Sequence, residues 1–267
     1  MRKDEEKRVI LYHRSYRRLP GSLTKFFIQF LLFVVPFTVV TVMYYPEMTT
    51  FICRVADVIL SPYFIPNTVR IDGVQFIDII GNIAVVSFLN LPGMMPSLYY
   101  STVNAAVCAV LVVGLPLVNR AKPLMIFLTI LAAMHLVSSL FFMFIPHLFP
   151  YTASDYSKLY MLQQVSIWFF VPIIMGVAIM PLPSSAIAKL YTMVITFVNM
   201  LLFGTVRYIV FLYVLSKVSL IYMAILFFAL GPLIDFAYIV GIYSLHATDL
   251  AKKIKGDFKI WKWQFSG

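Results

Sequence analysis

Seven polar or charged side chains interrupt the long apolar stretches of this sequence, and they are its candidates for chemistry. Such residues are costly inside a membrane-spanning segment, so each is a functional candidate by default. A buried arginine or histidine with amides beside it would suit an anionic ligand, because all of them offer N–H donors. The seven residues are Asn104, His135, Gln163, Gln164, Asn199, Arg207 and Asp235.

Helical rise sorts these residues by depth below the predicted outer interface. Five fall in one outer layer at about 6–15 Å, namely Asn104, His135, Gln163, Gln164 and Arg207. Asn199 and Asp235 share a depth of about 24 Å on adjacent helices, where they would hydrogen-bond as an inner polar pair. Arg207 and Asp235 differ in depth by about 12 Å, which predicts no direct ion pair unless a kink at Gly231-Pro232 closes the gap. The outer layer is interpreted either as a binding site or as interhelical hydrogen bonding.

The composition places the chain among polytopic membrane proteins. Hydrophobic residues make up 61% of it and charged residues 12%, and the mean hydropathy is +0.91. The net charge of +10 is concentrated at the two ends and in short turns. That distribution indicates membrane topology and attraction to anionic lipids rather than nucleic-acid binding. Cys53 and Cys108 form no CxxC motif and predict neither a disulfide framework nor a metal site.

Six apolar stretches have the length of a transmembrane helix: residues 26–45, 98–118, 123–145, 159–180, 190–215 and 219–245. A basic turn at residues 119–122 joins the second and third, and such loops are retained in the cytoplasm. Six spans put both termini in the cytoplasm with most of the lysines and arginines. The alternative, a seventh span over residues 76–91, would place the lysine-rich C-terminal tail outside, against the positive-inside bias.

The polytopic domain is predicted to cover residues 23–246, with its first outer loop at 46–97. In that loop, helical spacing of apolar residues predicts an amphipathic helix over 49–60 lying on the membrane surface. β-forming residues then predict three short strands at 68–72, 74–80 and 83–89, a small β-meander. Asp72-Gly73 and Gly81-Asn82 are taken as its turns.

Both ends of the chain are predicted to lie on the cytoplasmic membrane surface. Residues 1–22 are a basic segment, and residues 247–267 form an amphipathic helix whose apolar side carries Leu250, Ile254, Phe258 and Trp261. Lysines occupy its other side, so both termini are expected to bind anionic lipids.

No catalytic motif accompanies these elements. The sequence has no GxGxxG or GxxxxGK[ST] motif for a nucleotide, no HExxH motif for zinc and no GxSxG elbow. We therefore predict no catalytic residue, no metal and no cofactor, and we favour a non-enzymatic role over an enzymatic one.

The order of elements, and Leu89-Asn90-Leu91-Pro92 leading to Tyr99-Tyr100 and an apolar span, resemble the exosortase/archaeosortase group of membrane proteins. The closest likeness, over residues 24–181, is to the non-catalytic membrane proteins that accompany exosortases. Exosortases are transpeptidases that use a cysteine at the outer end of a span. The matching segment, residues 92–96, has no cysteine, and His135 stands where the family's arginine is needed. The resemblance therefore implies a member without the nucleophile.

Three functions follow as expectations. The leading one is a non-enzymatic accessory or scaffold subunit of an export, protein-sorting or surface-polymer assembly system in a bacterial inner membrane, acting with a membrane-protein partner. The first alternative is an anion permease whose outward cavity is lined by the outer polar layer. The second is a degenerate exosortase-like transpeptidase, which requires a reactive Cys53.

Overall fold

The computed structural model describes residues 17–18, 23–79, 82–118, 121–254 and 262–263. After a short strand, β1 (Arg17–Arg18), come six long helices: α1 (Leu23–Leu60), α2 (Leu98–Gly114), α3 (Lys122–Phe144), α4 (Ala153–Ile179), α5 (Ala186–Tyr213) and α6 (Gly231–Ile254). These helices belong to six segments long and apolar enough to cross a membrane, as predicted. The chain is a polytopic membrane protein of mostly helical structure.

Helix α1 does not end at Pro46, so the predicted break between a first span and a surface helix over 49–60 is wrong. Proline normally interrupts a helix because it lacks an N–H and crowds the preceding turn. Here the hydroxyls of Thr49 and Thr50 donate to the Pro46 carbonyl at 2.9 and 2.8 Å. The following turns bury one face, including Ile52 and Ala56, so tertiary packing keeps the helix continuous.

Between α1 and α2 lies one antiparallel hairpin of two strands, β2 (Arg70–Ile79) and β3 (Asn82–Asn90). The prediction of a three-stranded meander is wrong, although the β-forming segment itself is confirmed. Its described residues, 70–79 and 82–90, are strands rather than a seventh membrane span. Gly73 lies within β2 opposite Ser87 rather than in a turn. A side chain there would collide with Val85, so glycine serves close cross-strand packing. The predicted turn residue Gly81 lies outside the described residues.

Helices α2 and α3 form an antiparallel helical hairpin with clear start signals. The Ser97 hydroxyl accepts the Tyr100 N–H at 3.2 Å and caps α2. Pro123 occupies the first turn of α3, where its missing N–H costs nothing. Ala121 before it has φ = 47°, a left-handed conformation that reverses the chain. Of the predicted basic turn, Asn119 and Arg120 lie outside the described residues.

The C-terminal region departs from the predicted amphipathic helix over 247–267. Helix α6 runs without a break to Ile254, and a last strand, β4 (Lys262–Trp263), pairs antiparallel with β1. Arg17 lies opposite Trp263 and Arg18 opposite Lys262. A helix through those positions is therefore wrong; Phe258 and Trp261 lie outside the described residues. The pairing brings segments from the two ends of the chain together.

The chain divides into two compact units. The first unit comprises Met1–Val40, Phe169–Val198 and Tyr238–Gly267. Its apolar core includes Val34, Met180 and Met193, against which several phenylalanines of α1 pack. The second unit comprises Thr41–Trp168 and Asn199–Ala237 and contains the β2–β3 hairpin. Its largest buried side chains include Trp168 and four tyrosines, namely Tyr45, Tyr156, Tyr160 and Tyr208.

Candidate functional site

Arg207 and Asp235 form a buried ion pair in the second unit. Nη2 of Arg207 lies 2.9 Å from Oδ2 of Asp235, and the residues are 4% and 6% exposed. The prediction that they do not pair is wrong. It assumed regular α-helix on both sides of Lys217, whereas Val214–Val218 and Ile225–Leu230 are π-helical and Leu220–Tyr222 is a 3-10 turn. A rise of 1.5 Å per residue does not hold across such a stretch.

The remaining donor groups of Arg207 also have partners from the protein. Nε donates to the Tyr160 hydroxyl at 2.7 Å, and Nη1 donates to the Gly231 carbonyl at 2.7 Å. The Tyr160 hydroxyl in turn donates to the Gly204 carbonyl at 3.1 Å. Each of the three guanidinium nitrogens thus donates a hydrogen bond to a neutral oxygen or to the carboxylate. The arrangement is more typical of a structural interaction that connects helices α4, α5 and α6 than of an anion-binding site.

Gln164 belongs to the same cluster. It is 2% exposed and lies close enough to the Asp235 carboxylate to interact with it. Gly204 leaves room for it, because a Cβ there would stand only 2.8 Å from Oε1 of Gln164. Asp235 therefore faces Arg207 and Gln164. The inner pair of Asp235 with Asn199 stays a prediction. We call Tyr160, Gln164, Arg207 and Asp235 the arginine cluster.

Asn104 and His135 lie in a different group of side chains. The His135 ring stacks on Tyr222 at 4.8 Å between centroids, and the Tyr222 hydroxyl lies 2.6 Å from that of Tyr100. Asn104, one turn after Tyr100, lies beside its hydroxyl. Within the described chain, neither His135 ring nitrogen has a hydrogen-bond partner. The predicted outer layer is thus split in two, and its fifth member, Gln163, is half-buried.

A second polar set holds the β2–β3 hairpin against the helices. The buried N–H of Leu89 on β3 donates to the hydroxyls of Tyr208 at 2.9 Å and Ser157 at 3.1 Å. Those two hydroxyls lie 2.6 Å apart. Cys53, which is fully buried, has its sulfur 3.9 Å from the Tyr208 hydroxyl. This thiol lies within a hydrogen-bonded core and not at a surface.

Two further hydroxyls extend this set along β3. Thr49 accepts the Ser87 N–H at 3.2 Å, and Ser154 accepts the Leu91 N–H at 3.1 Å. The donors at residues 87, 89 and 91 alternate along the chain and therefore point to the same side of β3. Side-chain hydroxyls from α1, α4 and α5 thus take the place of a neighbouring strand. We call Thr49, Ser154, Ser157 and Tyr208 the hydroxyl column.

Sequence reasoning missed the hydroxyl column and Tyr160, although a signal for them exists. Ser154, Ser157, Tyr160 and Gln164 are spaced by three or four residues and form one polar stripe on α4. Tyrosines at the ends of membrane helices are typical of the membrane interface, which would place Tyr156 and Tyr160 there. Tyr160 is 1% exposed and Tyr156 2%, so these two belong to the core.

Among the described residues, no group of three or more histidine, cysteine or acidic side chains is placed to hold a metal ion. Comparison of the chain with protein-family models, curated proteins and solved structures gives no match. The resemblance to exosortase-associated membrane proteins stays a prediction.

Proposed function

We propose that this protein is a non-enzymatic accessory or scaffold subunit of a membrane assembly that serves export, protein sorting or surface-polymer production. The observation that carries the proposal is the way the hairpin is fixed. β3 is bound to the helices through the hydroxyl column, whereas the first residues of β2 are exposed, with Arg70, Ile71 and Asp72 all on the surface. An accessory subunit needs such a rigidly presented element for its partner.

The register of the hairpin defines what β2 presents. The N–H groups of Ser87 and Leu89 point away from β2, so these residues form the non-hydrogen-bonded pairs of the ladder. Their partners Gly73 and Ile71 then point their own N–H and C=O groups away from β3. A strand edge of this kind can bind an extended segment of another protein by strand addition.

The arrangement of the termini supports the proposed topology. Pairing of β1 with β4 requires both ends of the chain to lie on the same side of the membrane. An even number of spans, such as the six candidate spans, also places both ends on one side. The positive-inside bias assigns that side to the cytoplasm and the hairpin to the other side. A bacterial inner membrane is the membrane we propose.

The arginine cluster gives less support to the permease alternative. A site that captures a solute anion needs an accessible and uncompensated positive charge, whereas Arg207 is 4% exposed and lies 2.9 Å from the Asp235 carboxylate. The transpeptidase alternative needs a reactive thiol, whereas Cys53 is fully buried. No observation favours either alternative over the scaffold.

The test is photo-cross-linking in cells, with a benzophenone amino acid at the exposed position Gln75 and the protein at its native level. We expect one defined adduct with a membrane or envelope protein. Ile71→Pro, which deletes an outward N–H but no hairpin hydrogen bond, should abolish the adduct. Ile71→Thr, which keeps that N–H, should retain it. Equal adducts from both variants, or anion uptake by proteoliposomes that Arg207→Ala abolishes, would contradict the proposal.

A further inference from the structure

The first unit contains a pocket of about 450 Å³ at the ends of three membrane helices. Its wall is formed by the start of α1, the connector after α4 and the first turn of α5. Lys25, Gln29, Ser184 and Lys189 supply polar groups, while Leu23 and Phe26 are among its apolar residues. Its size falls in the range typical of small-molecule sites, which runs from roughly 300 to 1,000 Å³.

Lys189 is the buried centre of this pocket. It is 2% exposed, and its Nζ donates to Oε1 of Gln29 at 2.7 Å and to the Met180 carbonyl at 2.7 Å. Met180 directly follows α4, whose C-terminal carbonyls favour a cation. An ammonium group carries three donors, and the described structure gives Lys189 no carboxylate partner. A buried positive charge held only by neutral oxygens favours an incoming anion.

Lys25 adds a second positive charge at the same pocket. It lies close enough to Lys189 for the two ammonium groups to repel each other. Among the described residues that line the pocket, none is an aspartate or a glutamate. An anion between the two lysines would relieve this repulsion and take up the remaining donor of Lys189. The Ser184 hydroxyl, 3.0 Å from Nε2 of His246, lies on the same wall.

The position of the pocket indicates which kind of anion it binds. Leu23 opens α1 and Lys189 lies in the first turn of α5, so the pocket is at the level where membrane helices begin and end. Leu23, Phe26 and Leu182 give it an apolar side next to its cationic side. A phospholipid matches both sides, because its phosphate suits the cationic side and its acyl chains suit the apolar side. Basic pockets between membrane helices bind phospholipid headgroups.

We propose that this pocket binds the phosphate group of an anionic phospholipid between Lys25 and Lys189, with the start of its acyl chains against Leu23 and Phe26. The site differs from general attraction of basic tails to the membrane surface, because it selects one lipid molecule by burial and geometry. It is also independent of the arginine cluster and of the hairpin.

The test measures phospholipid binding to the full-length protein in mild detergent by native mass spectrometry, with phosphatidylglycerol and phosphatidylcholine in parallel titrations. We expect one tightly bound phosphatidylglycerol and preference over phosphatidylcholine by about tenfold or more. Lys189→Gln and Lys25→Gln should each remove this preference. Lys25 is exposed, so its variant keeps the fold even if the buried Lys189 variant does not.

Lys122→Gln is the matched control, because Lys122 is an exposed lysine at the start of another span and outside the pocket. It removes the same charge and should leave the bound lipid unchanged. Equal loss of binding in the Lys122 variant, or retention in the Lys25 variant, would overturn the proposal. Displacement of the lipid by millimolar glycerol phosphate or inorganic phosphate would instead identify a water-soluble phosphate as the ligand and also overturn it.

Discussion

Nη2 of Arg207 lies 2.9 Å from Oδ2 of Asp235, across 28 residues of sequence that include a helix, two π-helical turns and a 3-10 turn. Both side chains are buried in the second unit, and the same guanidinium also binds Tyr160 and Gly231. A buried pair of this kind contributes little net energy when intact but is costly to leave half-formed.

Removal of both partners of the ion pair should therefore destabilise the protein by less than the sum of the two single removals. We expect Asp235→Asn and Arg207→Met each to lower the free energy of unfolding by about 3–5 kcal/mol, because each leaves an uncompensated buried group. The double variant Arg207→Met/Asp235→Asn should lose less than the sum of the two single losses. Unfolding by SDS titration in mixed micelles, followed by circular dichroism, measures this as a double-mutant cycle. Arg54→Met, at an exposed site, is the control.

Purely additive losses would contradict the pairing seen in the structure, as would an Asp235→Asn variant as stable as the unchanged protein.

Loss of the hydroxyl column should loosen the hairpin without unfolding the helices. In Tyr208→Phe the Leu89 N–H keeps its bond to Ser157, so a small effect is expected. In Tyr208→Phe/Ser157→Ala that buried N–H loses both acceptors, at a cost of about 1–3 kcal/mol. Hydrogen exchange of the peptide covering residues 85–91 should accelerate accordingly, while peptides of α2 and α3 stay unchanged.

Tyr213→Phe is the matched control on the same helix, because its ring packs edge-on to Tyr63 and its side chain is 39% exposed. Acceleration in that variant, or none in the double variant, would show that the hydroxyls do not hold β3.

Gly204 should be intolerant of a side chain because of Gln164. A Cβ at Gly204 would lie 2.8 Å from Oε1 of Gln164, so Gly204→Ala must displace that amide from beside Asp235. We expect a lower melting temperature in detergent for this variant. Gly241→Ala is the control, since no atom lies within 4 Å of a Cβ built there; alanine should be neutral or stabilise α6 by up to about 1 kcal/mol. Similar melting temperatures for the two variants would contradict the packing.

The membrane spans could be predicted because they depend on local sequence properties. Features that depend on packing between distant parts of the chain could not be predicted. Apolar length is a local signal, which is why the six spans and the α2–α3 hairpin were predictable. The course of α1 through Pro46 was not, because the burial of Ile52 and Ala56 that sustains it involves residues far away in sequence.

The candidate site was predictable in its residue types but not in its pairing. Arg207, Asp235 and Gln164 were identified because polar groups stand out in apolar segments. Their predicted depths below the outer interface were wrong, because the regular rise of an α-helix does not hold through Ile225–Leu230. The polar stripe on α4 could be seen in the sequence, but its acceptor role toward β3 depends on where the hairpin packs. Similarly, the predicted span at residues 190–215 leaves out Lys189, whereas Lys189 lies in α5 and is buried.

Finally, Cys53 should be unreactive in the folded protein. Its thiol is fully buried beside Tyr208, and Cys108 is 4% exposed, so neither sulfur offers a reagent the access that thiol chemistry requires. A membrane-impermeant maleimide should label neither residue in intact cells or in mild detergent, and both after denaturation in SDS. Val58→Cys in a cysteine-free background should be labelled without denaturation, because Val58 is 74% exposed on the same helix. Rapid labelling of Cys53 in the folded protein would contradict this burial and would favour the transpeptidase alternative over the scaffold, since a nucleophile must reach its substrate.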